Sequence, residues 1–344
     1  MTRLFALLLA MAGPATAQEA VTTFQAGDVL PATVLAVRST TDIDVFAPVL
    51  DAFVSANPTV AVRYEQWGSN ALYAVTRQAC DAGQGSIDAV ISSGVHQMVD
   101  LVNRACAQPY VSPLTQALPS ARRWRDEIWG ITQEAAVTIY NKDLVPAADV
   151  PHSRFDLLDL MRRRPETYRN RIATYDIEAS GLGDLFAFMD SQQATTFGGL
   201  LEGFARVDAV ATCCSAEIIA GVASGRYLIA YNVLGSYLVD DISDRVGVIA
   251  PQDYTLILSR AYLIPESAPH AALAARLLDF ILSARGQAIL ADSRLVQPAS
   301  ADEQPLPDSA RRPIPIAPTL LVAMDQARRR IFVDTWRKAF GDDR

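Results

Sequence analysis

Residues 88 to 94 read DAVISSG, a run of strand-forming residues that breaks into Ser-Ser-Gly and passes directly into an amphipathic helix pattern. Such a strand delivers the chain to a sheet edge. The helix after it begins with unpaired backbone N–H groups whose partial positive charge attracts anions. The same pattern recurs at TVLAVRSTT (33 to 41), RIATYDIEASGLG (171 to 183) and YLIAYNVLGS (227 to 236). Repeated switch points of this kind build a binding cleft.

Working outward, the periodicity predicts a helix over 42–56 closed by Asn57-Pro58, a strand over 60–66, a helix over 71–80, a strand over 87–92 and a helix over 97–106. This alternation implies a mainly parallel sheet covered by helices. RRWRDEIW at 122–129 reads as a surface turn, and GITQEAAVTIY at 130–140 as an apolar strand long enough to pass between two lobes. YTLILSRAYLI at 254–264 is a second such strand that carries the chain back. Between them lies a self-contained unit with helices over 155–163, 182–190 and 216–223 and strands over 171–175 and 227–232. After the return come a helix over 271–282, a Pro-rich stretch over 304–318 that reads as an extended packing strap, and a basic helix over 319–340. The expected division is a first lobe from 27 to 131, a second from 132 to 259, and a return to the first from 260 to 344.

Length and composition agree with this plan. A chain of 344 residues, 50% of them hydrophobic, buries a large core and favours two domains. A net charge of −8 speaks against a nucleic-acid binder, whose basic stripe would show in the composition. The first 17 residues carry Arg3, an apolar run from Leu4 to Ala12, a Gly13-Pro14 break and Ala15-Thr16-Ala17, which reads as a secretory signal cleaved after Ala17. An exported, periplasmic protein is the expectation. Its apolar run is shorter than the roughly 18 to 20 residues that span a bilayer.

Four cysteines occur, at 80, 106, 213 and 214. Cys80 and Cys106 each end a predicted helix in the same lobe and fit a structural disulfide, which stabilises by about 3.5 kcal/mol on the chain-entropy model. Neighbouring residues rarely have the geometry for a relaxed bridge, so Cys213 and Cys214 read as small buried residues and not as a zinc or redox site.

The stretches DAVISSGVHQMVDLVNRACAQPY (88 to 110), IWGITQEAAVTIYNKDLVP (128 to 146), GVASGRYLIAYNVLGSY (221 to 237) and VGVIAPQDYTLILSRAYLIPESAPHAALAARLLDFILSARGQAIL (246 to 290) carry a family resemblance. In their order they resemble the periplasmic substrate-binding proteins of ABC transporters, in the ferric-iron and phospho-compound branch. The resemblance covers nearly the whole chain after the leader. It implies an α/β, two-lobed type II periplasmic-binding fold whose lobes are joined by two crossing strands and close on a ligand. It also implies delivery to a membrane ABC permease or to a sensor histidine kinase. Iron-binding members use two consecutive tyrosines near the fourth switch point. Here that place holds Tyr231-Asn232, with Tyr237 further on. The nearer resemblance is to members lacking the pair, including regulators that sense phosphoglycerate-like compounds. Ferric iron is the second reading, and sensing without transport a third.

For a small anion, phosphate- or carboxylate-bearing, the candidate ligand residues follow from the switch points. They are Ser39, Thr40 and Thr41, then Ser92, Ser93 and Gly94, and from the second lobe Ser180, Gly181, Asn232 and Ser236. Arg38 and Arg260 are candidate counter-ions, since a guanidinium binds an oxyanion bidentately. Glu134, on the other crossing strand, is the candidate partner of Arg260, and an internal ion pair is the plainer reading of both. Trp67 and Tyr231 offer stacking faces, though aromatic residues commonly serve the core. Any single Ser or Thr at a helix start is commonly a cap without a ligand. The coincidence of four starts carries the expectation. An enzyme is the rival class, but His96, His152 and His270 lie in unrelated contexts, no nucleophile elbow, zincin helix or phosphate loop occurs, and Asp240-Asp241 reads as a solvated face. No cofactor is expected, and the protein is expected to be a monomer.

Overall fold

The computed structural model describes residues 18–27, 30–193, 195–238, 244–296 and 308–341. The expected leader, Asp240-Asp241 and the start of the Pro-rich stretch lie outside the described residues.

The first lobe is a seven-stranded sheet in the order β1-β3-β2-β4-β13-β6-β5. Its strands are β1 (Gln18–Phe24), β2 (Thr33–Ser39), β3 (Val60–Trp67), β4 (Ala89–Ser92), β5 (Arg123–Trp124), β6 (Ile128–Gly130) and β13 (Ala261–Leu263). Helices α1 (Ile43–Ala56) and α2 (Ser69–Asp81) connect its parallel strands β2, β3 and β4, with α3 (Val95–Asn103) and the short α4 (Pro113–Ala117) beyond. Helix α1 shows why these residues fold so. Phe46, Val49, Leu50, Phe53 and Val54 recur at three- and four-residue steps and form one buried face. Each of these side chains gains about 1.5–3 kcal/mol by leaving water. Asn57 ends the helix, its side-chain amide donating back to the Phe53 carbonyl at 2.8 Å.

The second lobe holds β7 (Glu134–Asn141), β8 (Ile172–Tyr175), β9 (Val210–Thr212), β10 (Ile229–Leu234), β12 (Thr255–Leu258) and β14 (Arg311–Pro313), with β11 (Val246–Ile249) pairing β7 to one side. Around it lie α5 (Arg154–Arg163), α6 (Pro165–Tyr168), α7 (Gly181–Gln193), α8 (Phe197–Arg206) and α9 (Ser215–Ala223). In the return segment, α10 (Ala271–Leu282) and α11 (Ala284–Asp292) back the first lobe, and α12 (Gln326–Phe340) follows a 3-10 segment at Pro318–Met324.

The crossing strands run as expected, from β6 to β7 and from β12 to β13. They are stitched at the hinge by the Ile131 N–H donating to the Arg260 carbonyl at 2.9 Å and the Arg260 N–H donating to Thr132 Oγ1 at 2.8 Å. Both sheets are mixed, not mainly parallel: strands joined through helices pair parallel, while the crossing strands enter antiparallel. A strand arriving from the other lobe has no helical crossover to impose direction.

Three expectations need correction. Residues 123–130 form a hairpin with Trp129 fully buried, not a surface turn. The predicted terminal helix breaks at Asp325, which caps α12 by accepting from the Arg328 N–H at 2.9 Å. The 260–344 segment does not return wholly to the first lobe: β14 pairs with β12, and Val333, Trp336 and Phe340 of α12 pack with Phe204 of α8. The apolar stripe of α12 is satisfied only there. The strap itself spans both lobes, since the Ile316 N–H donates to the Ala121 carbonyl at 2.8 Å just beyond β14.

Candidate ligand-binding cleft

A cleft of about 420 Å³ opens between the lobes at the hinge. From the first lobe it is lined by Thr40, Asp42, Gln66, Trp67, Ser69 and Ser93, and from the second by Tyr175, Ser180, Cys213, Cys214, Ser215 and Tyr237, with Arg260 at its floor. Strand-to-helix switch points of both lobes therefore converge on one space.

Arg260 is fully buried and belongs to an internal ion pair. Its Nε donates to Glu134 Oε1 at 2.8 Å and its Nη2 to Oε2 at 3.0 Å, while Nη1 donates to Thr41 Oγ1 at 2.9 Å. Ser236 and Thr132 hydroxyls fill the rest of the Glu134 carboxylate, at 2.6 and 2.7 Å. Glu134, Thr41 and Ser236 thus form the shell beneath Arg260. The guanidinium also lies 5.6 Å from the Tyr237 ring centroid. Burial raises the Tyr237 hydroxyl above its ordinary range against the pull of Arg260. Burial likewise raises Asp42, and Arg260 only partly offsets it.

Thr40, Ser93, Trp67, Ser180 and Arg260 line the cleft. Thr40 and Ser93 bind each other across β2 and β4, Oγ to Oγ at 3.1 Å. Ser39 and Ser92 are turned inward: each hydroxyl accepts the N–H two residues on, from Thr41 at 3.0 Å and Gly94 at 3.1 Å, and so shapes the turn. Gly181 sits at the seam, its N–H donating to Ser69 Oγ at 2.8 Å.

Three candidates lie elsewhere. Arg38 sits opposite Glu65 in the β2–β3 register and pairs with it at 2.8 Å, because strand alternation sends it to the face away from Ser39. That carboxylate, despite burial, is held below its usual range by Arg38, Trp67 and Arg63. Tyr231 and Asn232 fall where the β10–β7 register shifts, and Asn232 adopts a left-handed φ of 55°. The bulge aims both into the second lobe, where each donates to Asp190 Oδ2 at 2.6 Å beside Arg154.

The cysteines divide. Cys80 and Cys106 are joined by a disulfide, as expected. Cys213 and Cys214 are joined as well, and Cys214 is exposed, so the reading of two buried thiols does not hold. They sit on a loop at the cleft wall, where no core surrounds them.

Two helix starts escaped the sequence reading. Helix α2 begins after Gly68 and α9 after Cys214, and neither has a side-chain cap. Ser69 at one, and Ser215, Ala216 and Glu217 at the other, line the cleft. Tyr175 fixes α9 through a 2.6 Å bond to Ser215 Oγ. The signal was present in Gly68-Ser69 and in Ser215 following a strand, but VAVRYEQW and VAT carry weaker strand-to-hydroxyl contrast than the other four.

The cleft can hold a solute between open helix N-termini and aromatic walls, over the buried Arg260–Glu134 ion pair. Among the described residues no group of three or more His, Cys, Asp or Glu is placed to hold a metal ion.

Residues 39–288 match the family model of the bacterial extracellular solute-binding proteins. The fold is similar to the substrate-binding protein of an ABC transporter from Agrobacterium tumefaciens, with a TM-score of 0.86 and 30% identity over 95% of this chain and 100% of that one. It is also similar to iron-bound HitA from Pseudomonas aeruginosa (TM-score 0.69, 13% identity, 88% of this chain and 99% of that one). The ferric binding protein from Campylobacter jejuni gives a TM-score of 0.67 and 17% identity, over 89% of this chain and 99% of that one. No curated protein matches the chain. With two lobes, a hinge of two crossing strands, a cleft between them and a family match over most of its length, the chain belongs to the bacterial extracellular solute-binding proteins.

Proposed function

We propose that the protein captures a small organic anion, phosphate- or carboxylate-bearing, between its lobes and presents it to a membrane ABC permease. One observation carries this reading: the uncapped starts of α2 and α9 face a shared cleft from opposite lobes, above the buried Arg260. Open N–H groups at a helix start favour an oxyanion, and two opposed starts hold it only when the lobes are together. A cleft of about 420 Å³ is roomy for a bare phosphate, so the anion carries a carbon skeleton. Asp42, Glu19 and Glu217 also line the space, which suits hydroxyl groups on that skeleton. Tyr231, the sequence counterpart of the iron-family tyrosines, is engaged with Asp190 outside the cleft and gives the iron reading no support. The expected export route, with cleavage after Ala17, accords with a family named for extracellular binding.

The test is isothermal calorimetry of the purified protein with inorganic phosphate, 3-phosphoglycerate, citrate and ferric citrate, with native mass spectrometry of whatever co-purifies. Binding of a phospho- or carboxylate compound without visible tyrosinate absorbance is the expected result. Iron uptake with such absorbance, and no anion binding, overturns it.

A further inference from the structure

We propose that the Cys213–Cys214 disulfide is a redox-sensitive element of the cleft, and that its reduction weakens anion binding at the start of α9. The inference rests on the anion reading above. Cys214 occupies the N-cap position of α9, with extended backbone and no side-chain cap. N-cap positions are commonly filled by Ser, Thr, Asp or Asn, whose side-chain oxygen takes one of the free N–H groups. Here the side chain is tied to its neighbour and takes none. Ser215, Ala216 and Glu217, at a helix start without a side-chain cap, line the cleft together with Cys213 and Cys214. Joined to Cys213, Cys214 adds no charge and no acceptor that would compete with an entering oxyanion.

Reduction reverses each of these properties. A dithiol reductant supplies two electrons and two protons: its thiolate attacks one sulfur, the mixed disulfide is resolved by its second thiol, and its own sulfurs end paired. Cys213 and Cys214 are left as two thiols. A thiol at a helix N-terminus has a lowered pKa and ionises readily. The freed Cys214 thiolate can then turn onto the α9 N–H groups as a cap, occupying the donors and placing a negative charge where the solute's anion would sit. Access favours this pair over the other: Cys214 is exposed, whereas Cys106 is buried. Exposed disulfides are the ones that exchange first.

The experiment titrates the purified protein with dithiothreitol, alkylates with iodoacetamide and maps the modified peptides. Calorimetry then measures the Kd of 3-phosphoglycerate and of inorganic phosphate in the oxidised form and in the form reduced at Cys213 and Cys214 alone. A tenfold or greater rise in Kd on reduction is expected, with no response to reductant in C213A/C214A. C213S/C214S, whose introduced hydroxyl at position 214 can cap α9, is expected to bind at least threefold more weakly than C213A/C214A. The reduced wild-type protein needs no variant to fold. Kd values that stay within threefold on reduction overturn this inference alone. Failure of either anion to bind even the oxidised protein overturns it together with the anion reading.

Discussion

Arg260 reaches the cleft as one end of a buried pair, so its removal acts twice. Arg260→Leu strands a Glu134 carboxylate of zero exposure, and breaking one partner of such a pair costs about 3–5 kcal/mol. The double replacement R260L/E134L is expected to regain most of that in urea unfolding while anion binding stays weak, which separates the fold role from the binding role. Asp42 makes a second prediction at this scale. Its folded pKa is raised by burial, so the fold favours its protonated form, and the cost of its charge is relieved as pH falls through that raised value. A charged Asp42 about 10 Å from a bound anion opposes it by about 1.7 kcal/mol at an effective dielectric of about 20. D42N is therefore expected to bind 3-phosphoglycerate more than tenfold tighter than wild type at pH 7, the ratio narrowing toward 1 on acidification. A ratio that does not change with pH contradicts this. The Arg260–Glu134 pair was legible in the sequence, because two charges in apolar crossing strands need each other. Arg38, Tyr231 and Asn232 were not placed correctly, since strand alternation against a partner and a register shift belong to pairing, which a single sequence does not display.

The Cys80–Cys106 bridge, with a sequence separation of 26, ties the C-terminal end of α2, opposite its cleft-facing start, to the chain just past α3. Loop entropy assigns it about 3.5 kcal/mol. C80A/C106A is expected to lose close to that amount in chemical unfolding, whereas C213A/C214A, which opens no loop of intervening residues, loses far less. Equal losses would assign the stabilisation to local strain instead. The elements themselves were legible wherever period and punctuation agreed, as in α1, α3 and the two crossing strands. Partner choice was not: RRP at 311–313 has no strand signature and becomes β14 only because β12 offers an edge. The starts of α2 and α9 were passed over for a related reason. Gly68-Ser69 and Ser215 mark the starts only faintly, and what makes them a site is the convergence of lobes distant in sequence.

At the scale of the molecule, the lobes touch not only at the hinge but across the mouth of the cleft. Helix α2 meets the entry to α7, with the Asn70 side-chain amide donating to the carbonyl of Glu178, just ahead of α7, at 2.8 Å, while within the first lobe Gln97 of α3 holds Asn70 in place by donating to its Oδ1 at 2.7 Å. Gln97 also packs against Gly181, where an added Cβ would come within 2.8 Å of its amide. The Asn70–Glu178 bond and the Gln97–Gly181 packing form only when the two bodies are together, so they bias closure without touching solute. A net hydrogen bond contributes about 1 kcal/mol, which is about fivefold in the ratio of closed to open molecules. The apparent affinity follows the population of the binding-competent form. Asn70→Ala is therefore expected to raise the Kd of 3-phosphoglycerate up to fivefold, mainly through faster dissociation. Gly181→Val drives a branched side chain into Gln97 and is expected to act more strongly. Small-angle scattering of the solute-free variants should give a larger radius of gyration than the wild type, in the order wild type, Asn70→Ala, Gly181→Val. If both variants scatter and bind as the wild type does, the α2–α7 contact is no part of closure, and the hinge residues 131–133 and 259–260 alone set the equilibrium.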